Sequence, residues 1–298
     1  MAYITSDIDE LLKAHNLELT LFEKMEPTLS MLGMFEKKNN DGKDTFAFAR
    51  DETTAEQMIL DGIMKEPVEI LEGAELPEVQ ITGINKNVGK MRRIGFQAVF
   101  TEEALKDNIN YDKIEKTVQA MAYAISRTLN RHAYQILVQS AQAPTITLGD
   151  GAWDSDNEEI DNDVKKLKRG FKSQDGYEYN LTDAFVSQDA FWAMEDYYDA
   201  VLTSGFNADN VRGIKFEDVK ELESGLLGLD MNIKPAKWYY NVYPEDNQLH
   251  DQYGTFIHIN RVDELEGHKI PRKVTIQMYV EYGFAVLEPK AVLFQEGI

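Results

Sequence analysis

The chain has 298 residues, 43% of them hydrophobic, with no cysteine and 31 Lys+Arg against 52 Asp+Glu for a formal charge of −21. That length buries a core as one large or two intimate domains, and the lack of cysteine excludes disulfides, thiolate catalysis and cysteine-ligated zinc and suits a reducing cytoplasm. So acidic a surface repels phosphate and argues against a reader of nucleic acid, though not against a wall around nucleic acid that must not adhere to it.

Met1 leads into Tyr3-Ile4-Thr5-Ser6 without a basic or apolar leader, so no secretory signal is expected. Ser6 is placed to cap a short helix carrying Ile8, Leu11 and Leu12. Leu17 to Phe22 reads as extended, Met25 to Phe35 as an apolar scatter without one period, and Lys37 to Asp44 as a polar turn. The first ~60 residues therefore read as an arm lying on something else. From Pro67 the residues alternate through Val68 and Ile70, cross a tip at Glu72-Gly73-Ala74-Glu75-Leu76-Pro77-Glu78, and return through Val79 and Ile81. Gly83 to Arg93 is polar and glycine-bearing, and Ile94, Phe96, Ala98 and Phe100 form a strand leading to Thr101, which caps Glu102 to Leu105. Glu66 to Arg93 reads as a long hairpin-like loop. A two-stranded ribbon is marginal in water, and ordering about 28 residues costs about 1 to 2 kcal/mol each. Contacts from another subunit are the expected source of that stabilisation.

Asn110 to Gln142 is the spine of the chain. Ile114, Val118, Met121, Ile125, Leu129, Ala133, Ile136 and Leu137 recur at steps of three or four, with Asn110 placed as N-cap and Pro144 as terminator. A helix of about 32 residues spans roughly 48 Å. Lys113, Glu115, Lys116, Arg127 and Arg131 make its polar face too charged for a membrane span, and no apolar run elsewhere approaches ~18 residues. The acidic run Asp150 to Asp163 opens a second amphipathic helix whose dry face is Ile160, Val164, Leu167 and Phe171. A strand at Leu181 to Val186 follows, then a helix capped by Ser187 that carries Phe191, Trp192, Met194 and Tyr198. After a loop at Ser204 to Gly213, short strands or turns are expected at Phe216 to Leu222, Leu226 to Ile233, Trp238 to Tyr243 and Thr255 to Ile259. Strands at Val274 to Tyr282 and Phe284 to Phe294, broken at Gly283 and Pro289, close the chain.

Chemistry is sparse. Gly83 to Met91 misses the phosphate-loop spacing by one residue and has Met91 where Ser or Thr would meet Mg²⁺. Asp154-Ser155-Asp156-Asn157-Glu158-Glu159 lacks the sixth-position glycine of an EF-hand and reads as acids at a helix start. His15, His132, His250, His258 and His268 form no zinc-binding pair, and His132 reads as packed beside the spine's apolar face. There is no nucleophile elbow. Carboxylate pairs such as Glu102 with Glu103 and Glu217 with Asp218 leave a carboxylate-pair hydrolase as a distant alternative that nothing selects. The cluster Phe191, Trp192, Tyr197 and Tyr198 has helical spacing and reads as core and interface. No catalytic residue, metal ligand or cofactor is expected.

The order of these parts resembles the major capsid proteins of tailed viruses, bacteriophage or archaeal, with the Hong Kong 97-type fold. Glu72 to Glu78 looks like that family's extended-loop tip, commonly Glu-x-Ala-x-x-Pro-Glu. Phe96 to Asp107, with Thr101-Glu102-Glu103-Ala104-Leu105, is similar to the strand entering the spine. Glu158 to Phe171, Ala184 to Ser187 and the helix from Gln188 resemble the opening of the axial domain, Leu226-Leu227-Gly228-Leu229 its Leu-Gly turn, and Phe284 to Ala291 the closing strand. The resemblance implies an α+β fold divided into an N-arm (1–57), an extended β-hairpin loop (58–95), a peripheral domain (96–180 and 271–298) around the spine helix (110–142), and a mixed α/β axial domain (181–270). It implies a non-enzymatic virion protein, made in the host cytoplasm, that self-assembles as pentamers and hexamers of an icosahedral shell around double-stranded DNA, without sequence-specific binding and without a membrane. Glu72, Gly73, Ala74, Glu75, Leu76, Pro77 and Glu78 would make inter-subunit contacts. Portal and decoration proteins are implied partners. With only 71 residues before Glu72, any scaffolding is expected from a separate protein. No Lys–Asn isopeptide cross-link is expected, because the tip has no lysine and Lys273-Val274-Thr275 has no asparagine. An encapsulin-like compartment is the runner-up with the same fold.

Overall fold

A computed structural model describes residues 33–50, 85–101, 109–149, 152–153, 159–174, 177–201, 206–222, 224–241, 249–250, 255–265 and 268–298. It opens on strands β1 (Phe35–Asn39) and β2 (Thr45–Arg50), then β3 (Asn85–Lys90), β4 (Arg92–Thr101) and the long helix α1 (Ile109–Ser140). Helix α2 (Ile160–Lys172) is followed by the two-residue strands β5 (Ser173–Gln174) and β6 (Tyr177–Glu178), then by β7 (Asp183–Val186) and helix α3 (Gln188–Val201). The rest is strand: β8 (Lys215–Asp218), β9 (Leu226–Leu229), β10 (Ala236–Tyr240), β11 (Leu249–His250), β12 (Thr255–Leu265), β13 (His268–Val286) and β14 (Val292–Gln295).

Helix α1 forms where the apolar period predicts it. Val118, Met121, Ala122, Ile125, Leu129, Ala133, Tyr134 and Leu137 are buried along one stripe. Asn110 is not its cap, since the helix already includes Ile109; cap residues locate a helix end only to within a residue or two. At the other end the helix yields to tertiary pairing before Pro144 is reached. The Gln142 amide donates to the Pro289 (3.0 Å) and Val292 (3.2 Å) carbonyls, and the Ala143 amide to Val292 (3.1 Å).

Strand β13 is the trunk of a six-stranded sheet. Val280 pairs with Thr255 on one side and Ile94 on the other, and Tyr282 with Tyr240 and Arg92. Hence β4 flanks one edge of β13, while β10 and β12 follow one another along the opposite edge. Strand β1 adds in parallel to β10 and β11 adds to β12. Side chains alternate along β13, so Ile276, Met278, Val280, Tyr282 and Phe284 face α1 in one core.

The four-stranded sheet β14-β9-β7-β8 is covered on both faces. Phe185, Leu227, Leu229 and Val292 join the α1 core. Their sequence neighbours Ala184, Val186, Leu226 and Leu293 join a second core with Ile160, Val164, Leu167 and Phe171 of α2 and Ala190, Ala193 and Met194 of α3. The acids at the start of α2 and the cations at its end follow the helix dipole, as the sequence suggests.

Three sequence expectations need correction. The stretch read as a polar turn, Lys37 to Asp44, begins inside β1, whose polar residues are held by backbone pairing to Trp238, Tyr239 and Tyr240. The last part of the hairpin-like loop expected over Glu66 to Arg93 is strand: Asn85–Lys90 pairs antiparallel with Thr45–Arg50. Gly283 does not break the closing strand, because β13 runs through it to Val286, and the break falls at the 3₁₀ turn Pro289–Ala291. Leu226 to Ile233, expected as strand or turn, is strand to Leu229 and turn beyond it, where buried Asp230 accepts from the Asn180 (2.8 Å) and Asn232 (3.1 Å) amides.

Candidate functional site

The tip residues Glu72, Gly73, Ala74, Glu75, Leu76, Pro77 and Glu78 lie outside the described residues. What the structure describes is the stalk from which the 51–84 stretch departs. Register runs from Thr45 opposite Lys90 to Arg50 opposite Asn85. One ring packs the ribbon against the body. Phe46 is 4% exposed and stacks on Tyr239 at 4.3 Å and 19°. A Cβ on Gly89, its cross-strand partner, or on Gly283 of β13 would lie 2.2 Å from that ring. Both glycines therefore serve the close approach of a side chain to backbone, which is the usual reason for glycine inside a strand.

A polar clamp sits beside the ring. Asn40 donates its amide to the Tyr240 carbonyl (2.8 Å) and its side chain to the Lys43 carbonyl (2.7 Å). Asp41 (φ 53°) and Gly42 (φ 72°) make the turn between them, and the Met91 amide closes it on the Asp44 carbonyl at 2.8 Å. Behind it, Glu281 is only 5% exposed. Its carboxylate accepts from the Arg93 Nε at 2.8 Å and the Asn241 Nδ2 at 2.8 Å, and the Arg93 guanidinium also lies 4.8 Å from the centre of the Tyr279 ring. A buried carboxylate is tolerated when its oxygens are bonded to a cation and an amide, as here. A groove of about 500 Å³ opens between this turn and the ribbon, lined by Lys38, Lys43, Phe46, Val88 and Tyr239 among others.

The other sequence candidates are separated or used structurally. Residues Asn85–Lys90 of the near phosphate loop are extended in β3 and do not curl around an anion. Of the acidic run, 154–158 lie outside the described residues, while Asp161 and Asp163 hold the fold. The Arg212 guanidinium binds Asp161 through two 2.7 Å bonds and, with Lys165, holds its carboxyl well below the usual range despite partial burial. Tyr198 donates to Asp161 at 3.2 Å, and burial, followed by that carboxylate, pushes its hydroxyl well up. Fully buried Asp163 accepts from the Gly149 amide (3.0 Å) and the Trp153 Nε1 (3.4 Å), pinning the loop before α2.

Glu217 and Asp218 are successive residues of β8 and point to opposite faces, with Lys215 ion-paired to Glu217; Glu102 and Glu103 lie outside the described residues. His132 hydrogen-bonds the Tyr282 hydroxyl and stacks on that ring at 5.9 Å. Burial, with Arg92 and Arg131 nearby, pushes the imidazole below its ordinary value, and burial raises the tyrosine. Phe191 and Tyr198 pack against Phe206, while Trp192 is 54% exposed. Among the described residues no group of three or more His, Asp or Glu is placed to hold a metal, and no helix is long and apolar enough to cross a membrane. Sequence reasoning misses Phe46 and Glu281. The glycines at 89 and 283 are the available signal for the first, and nothing local distinguishes Glu281 among so many acids.

A family model described as phage capsid protein matches residues 87–293. No curated protein matches the sequence. Among solved structures, the chain is similar to a virus-like particle from Pyrococcus furiosus at 9% identity and a TM-score of 0.57, covering 95% of this chain and 98% of that one. It is similar to the holo-SrpI encapsulin complex from Synechococcus elongatus PCC 7942 at 9% identity and 0.55, covering 93% and 89%. It is also similar to the capsid of Cyanophage P-SCSP1u at 9% and 0.55, covering 88% and 86%. At such identities the likeness is one of fold.

Proposed function

Because this chain belongs to the phage capsid protein family and has the α+β Hong Kong 97-type fold, we propose that it is a major capsid subunit that self-assembles into pentamers and hexamers of an icosahedral shell enclosing double-stranded DNA. Capsid shell protein is what membership, through the match over residues 87–293, establishes, and it is the observation that supports the finer reading. The stalk supports it physically. Phe46 and the Asn40 turn fasten to the body the two strands that carry residues 51–84, as a chain does when that stretch is to be offered to a neighbour. A formal charge of −21 suits a wall from which packaged DNA must slide freely.

In this reading residues 1–57 are the N-arm, 58–95 the extended loop, 96–180 with 271–298 the peripheral domain and 181–270 the axial domain. Scaffolding, portal and decoration proteins are separate partners, and the chain is made in the host cytoplasm. The similarity to an encapsulin complex favours one second reading, a compartment around a protein cargo. Electron microscopy and sedimentation of the purified chain, alone and with candidate scaffolding protein, test both. Large icosahedral shells formed with the scaffolding protein are expected. Small uniform shells with protein cargo favour the second reading, and a compact monomer under every condition overturns both.

A further inference from the structure

Where β4 meets α1, positive charge collects with no acid set against it. Residues 116–149 contain no Asp or Glu, although the chain has 52 acids. Arg127 and Arg131 stand one turn apart on the exposed face of α1, about 6 Å along its axis, a spacing at which like charges repel. Arg92 of β4, also exposed, joins them from the sheet. It lies directly opposite Tyr282 in the antiparallel pair, so both side chains stand on the face that packs on α1, while Arg93 and Glu281 meet on the other face. Tyr282 is 1% exposed and hydrogen-bonds the Nδ1 of half-buried His132, which fixes the imidazole near Arg92 and Arg131. No described carboxylate acts on His132 or Tyr282, and Arg92, Arg127 and Arg131 hold no ion pair among the described residues.

We propose that Arg92, Arg131 and His132 form a binding site for a phosphate group, with Tyr282 orienting the imidazole and Arg127 placed for the next phosphate of a polynucleotide. The donors select the anion. Two guanidinium forks and a ring N–H offer more hydrogens than the two oxygens of a carboxylate accept singly, whereas a phosphate group presents several oxygens around one centre. With the tyrosine hydroxyl donating to Nδ1, the hydrogen of a neutral imidazole sits on Nε2, which has no partner among the described residues. An anion there also removes the repulsion among the arginines. One such site on so acidic a chain gives each subunit a weak, salt-sensitive hold, compatible with DNA that slides along the wall. The site stands on these side chains, and only its occupancy by packaged DNA rests on the shell reading.

The test titrates purified subunits with a short fluorescein-labelled DNA duplex and, separately at matched ionic strength, with inorganic phosphate. Wild type is compared with R92Q/R131Q and with R169Q/K172Q, which removes two exposed cations from the last turn of α2. Circular dichroism checks folding, and R131Q alone, at an exposed position, carries the test if the double variant misfolds. R92Q/R131Q is expected to bind the duplex about tenfold more weakly, with the slope of log affinity on log salt reduced by about 1, and R169Q/K172Q to bind it as wild type does. Inorganic phosphate is expected to raise the melting temperature of wild type and not of R92Q/R131Q. That stabilisation together with equal duplex binding by all chains supports the site and assigns it to free phosphate. Equal weakening in both double variants overturns the proposal, as does the absence of both phosphate effects. Loss of shells from R92Q/R131Q with duplex and phosphate binding unchanged gives the place to a neighbour's carboxylate, which overturns the proposal and leaves the shell reading standing. Phosphate binding by a chain that never forms shells keeps the site and removes the shell reading.

Discussion

Phe46 meets two glycines on different strands, and that arrangement sets how the ribbon sits. Gly283→Ala inserts a methyl where the ring already is, with 2.2 Å between the added Cβ and the Phe46 Cε1. Overpacking of this kind costs about 1 to 3 kcal/mol. Phe46→Ala instead empties a buried aromatic site and is expected near the lower end of the roughly 3 to 5 kcal/mol seen for such truncations, because the cluster around it is small. The two should couple. Once Phe46 is gone, Gly283→Ala no longer meets a ring, so the double variant unfolds in denaturant with less loss than the two single losses together. Additive losses would show that the ring is not what Gly283 makes room for. At the same scale, His132 gives a pH dependence. Its imidazole, held low by burial and by Arg92 and Arg131, binds a proton less readily in the folded chain than in the unfolded one, whose value is about 6.5. The stability it contributes is complete above about pH 6.5 and is lost as pH falls through the lower folded value. The denaturant midpoint of wild type is therefore expected to fall more steeply between about pH 7 and 5 than that of His132→Gln; parallel curves would refute this.

The elements legible in the sequence are those whose apolar period is local. Helices α1, α2 and α3 and strand β7 are read within a few residues because each buries one side of its own repeating pattern. Strands β1 and β3 escape such a reading for the opposite reason. Lys37, Lys38 and Asn39 form a strand because Trp238, Tyr239 and Tyr240 lie beside them, some two hundred residues on, and Asn85 to Lys90 because of Thr45 to Arg50. Such pairing leaves no trace in either segment alone. The correction changes where the loop can be cut. Removing 66–93 deletes β3 together with Gly89 and Arg93, which strips the partner strand from β2 and the cation from buried Glu281. Removing one partner of a buried ion pair costs about 3 to 5 kcal/mol. Replacing 51–84 by Asn-Gly keeps all of these and joins β2 to β3 through a tight turn suited to a hairpin. The Asn-Gly variant is expected to keep wild-type helical circular dichroism and a melting temperature near wild type while losing shell formation, and the 66–93 deletion to lose folding as well. Shells from the Asn-Gly variant would remove 51–84 from assembly.

At the scale of the whole molecule, what holds neighbours together must be non-covalent if the tip offers no chemistry for a weld. Glu72 to Glu78 contains no lysine, Lys273-Val274-Thr275 contains no asparagine, and the chain has no cysteine. Cohesion then rests on packing and on charge pairing, which follow mass action and give way to denaturant and salt. Each contact of that kind is worth little singly, so a shell draws its permanence from the number of neighbours each subunit engages. Shells boiled in denaturant are accordingly expected to run as one 34.0 kDa band by gel electrophoresis. Intact shells should loosen in about 1 M salt, where screening acts within roughly 3 Å. A ladder of multimers surviving denaturation would place a covalent bond between subunits and require a lysine elsewhere, with Lys65 the nearest before the tip. Loosening without a ladder would assign the hold to charge pairing between subunits, which added salt screens, and to no covalent bond.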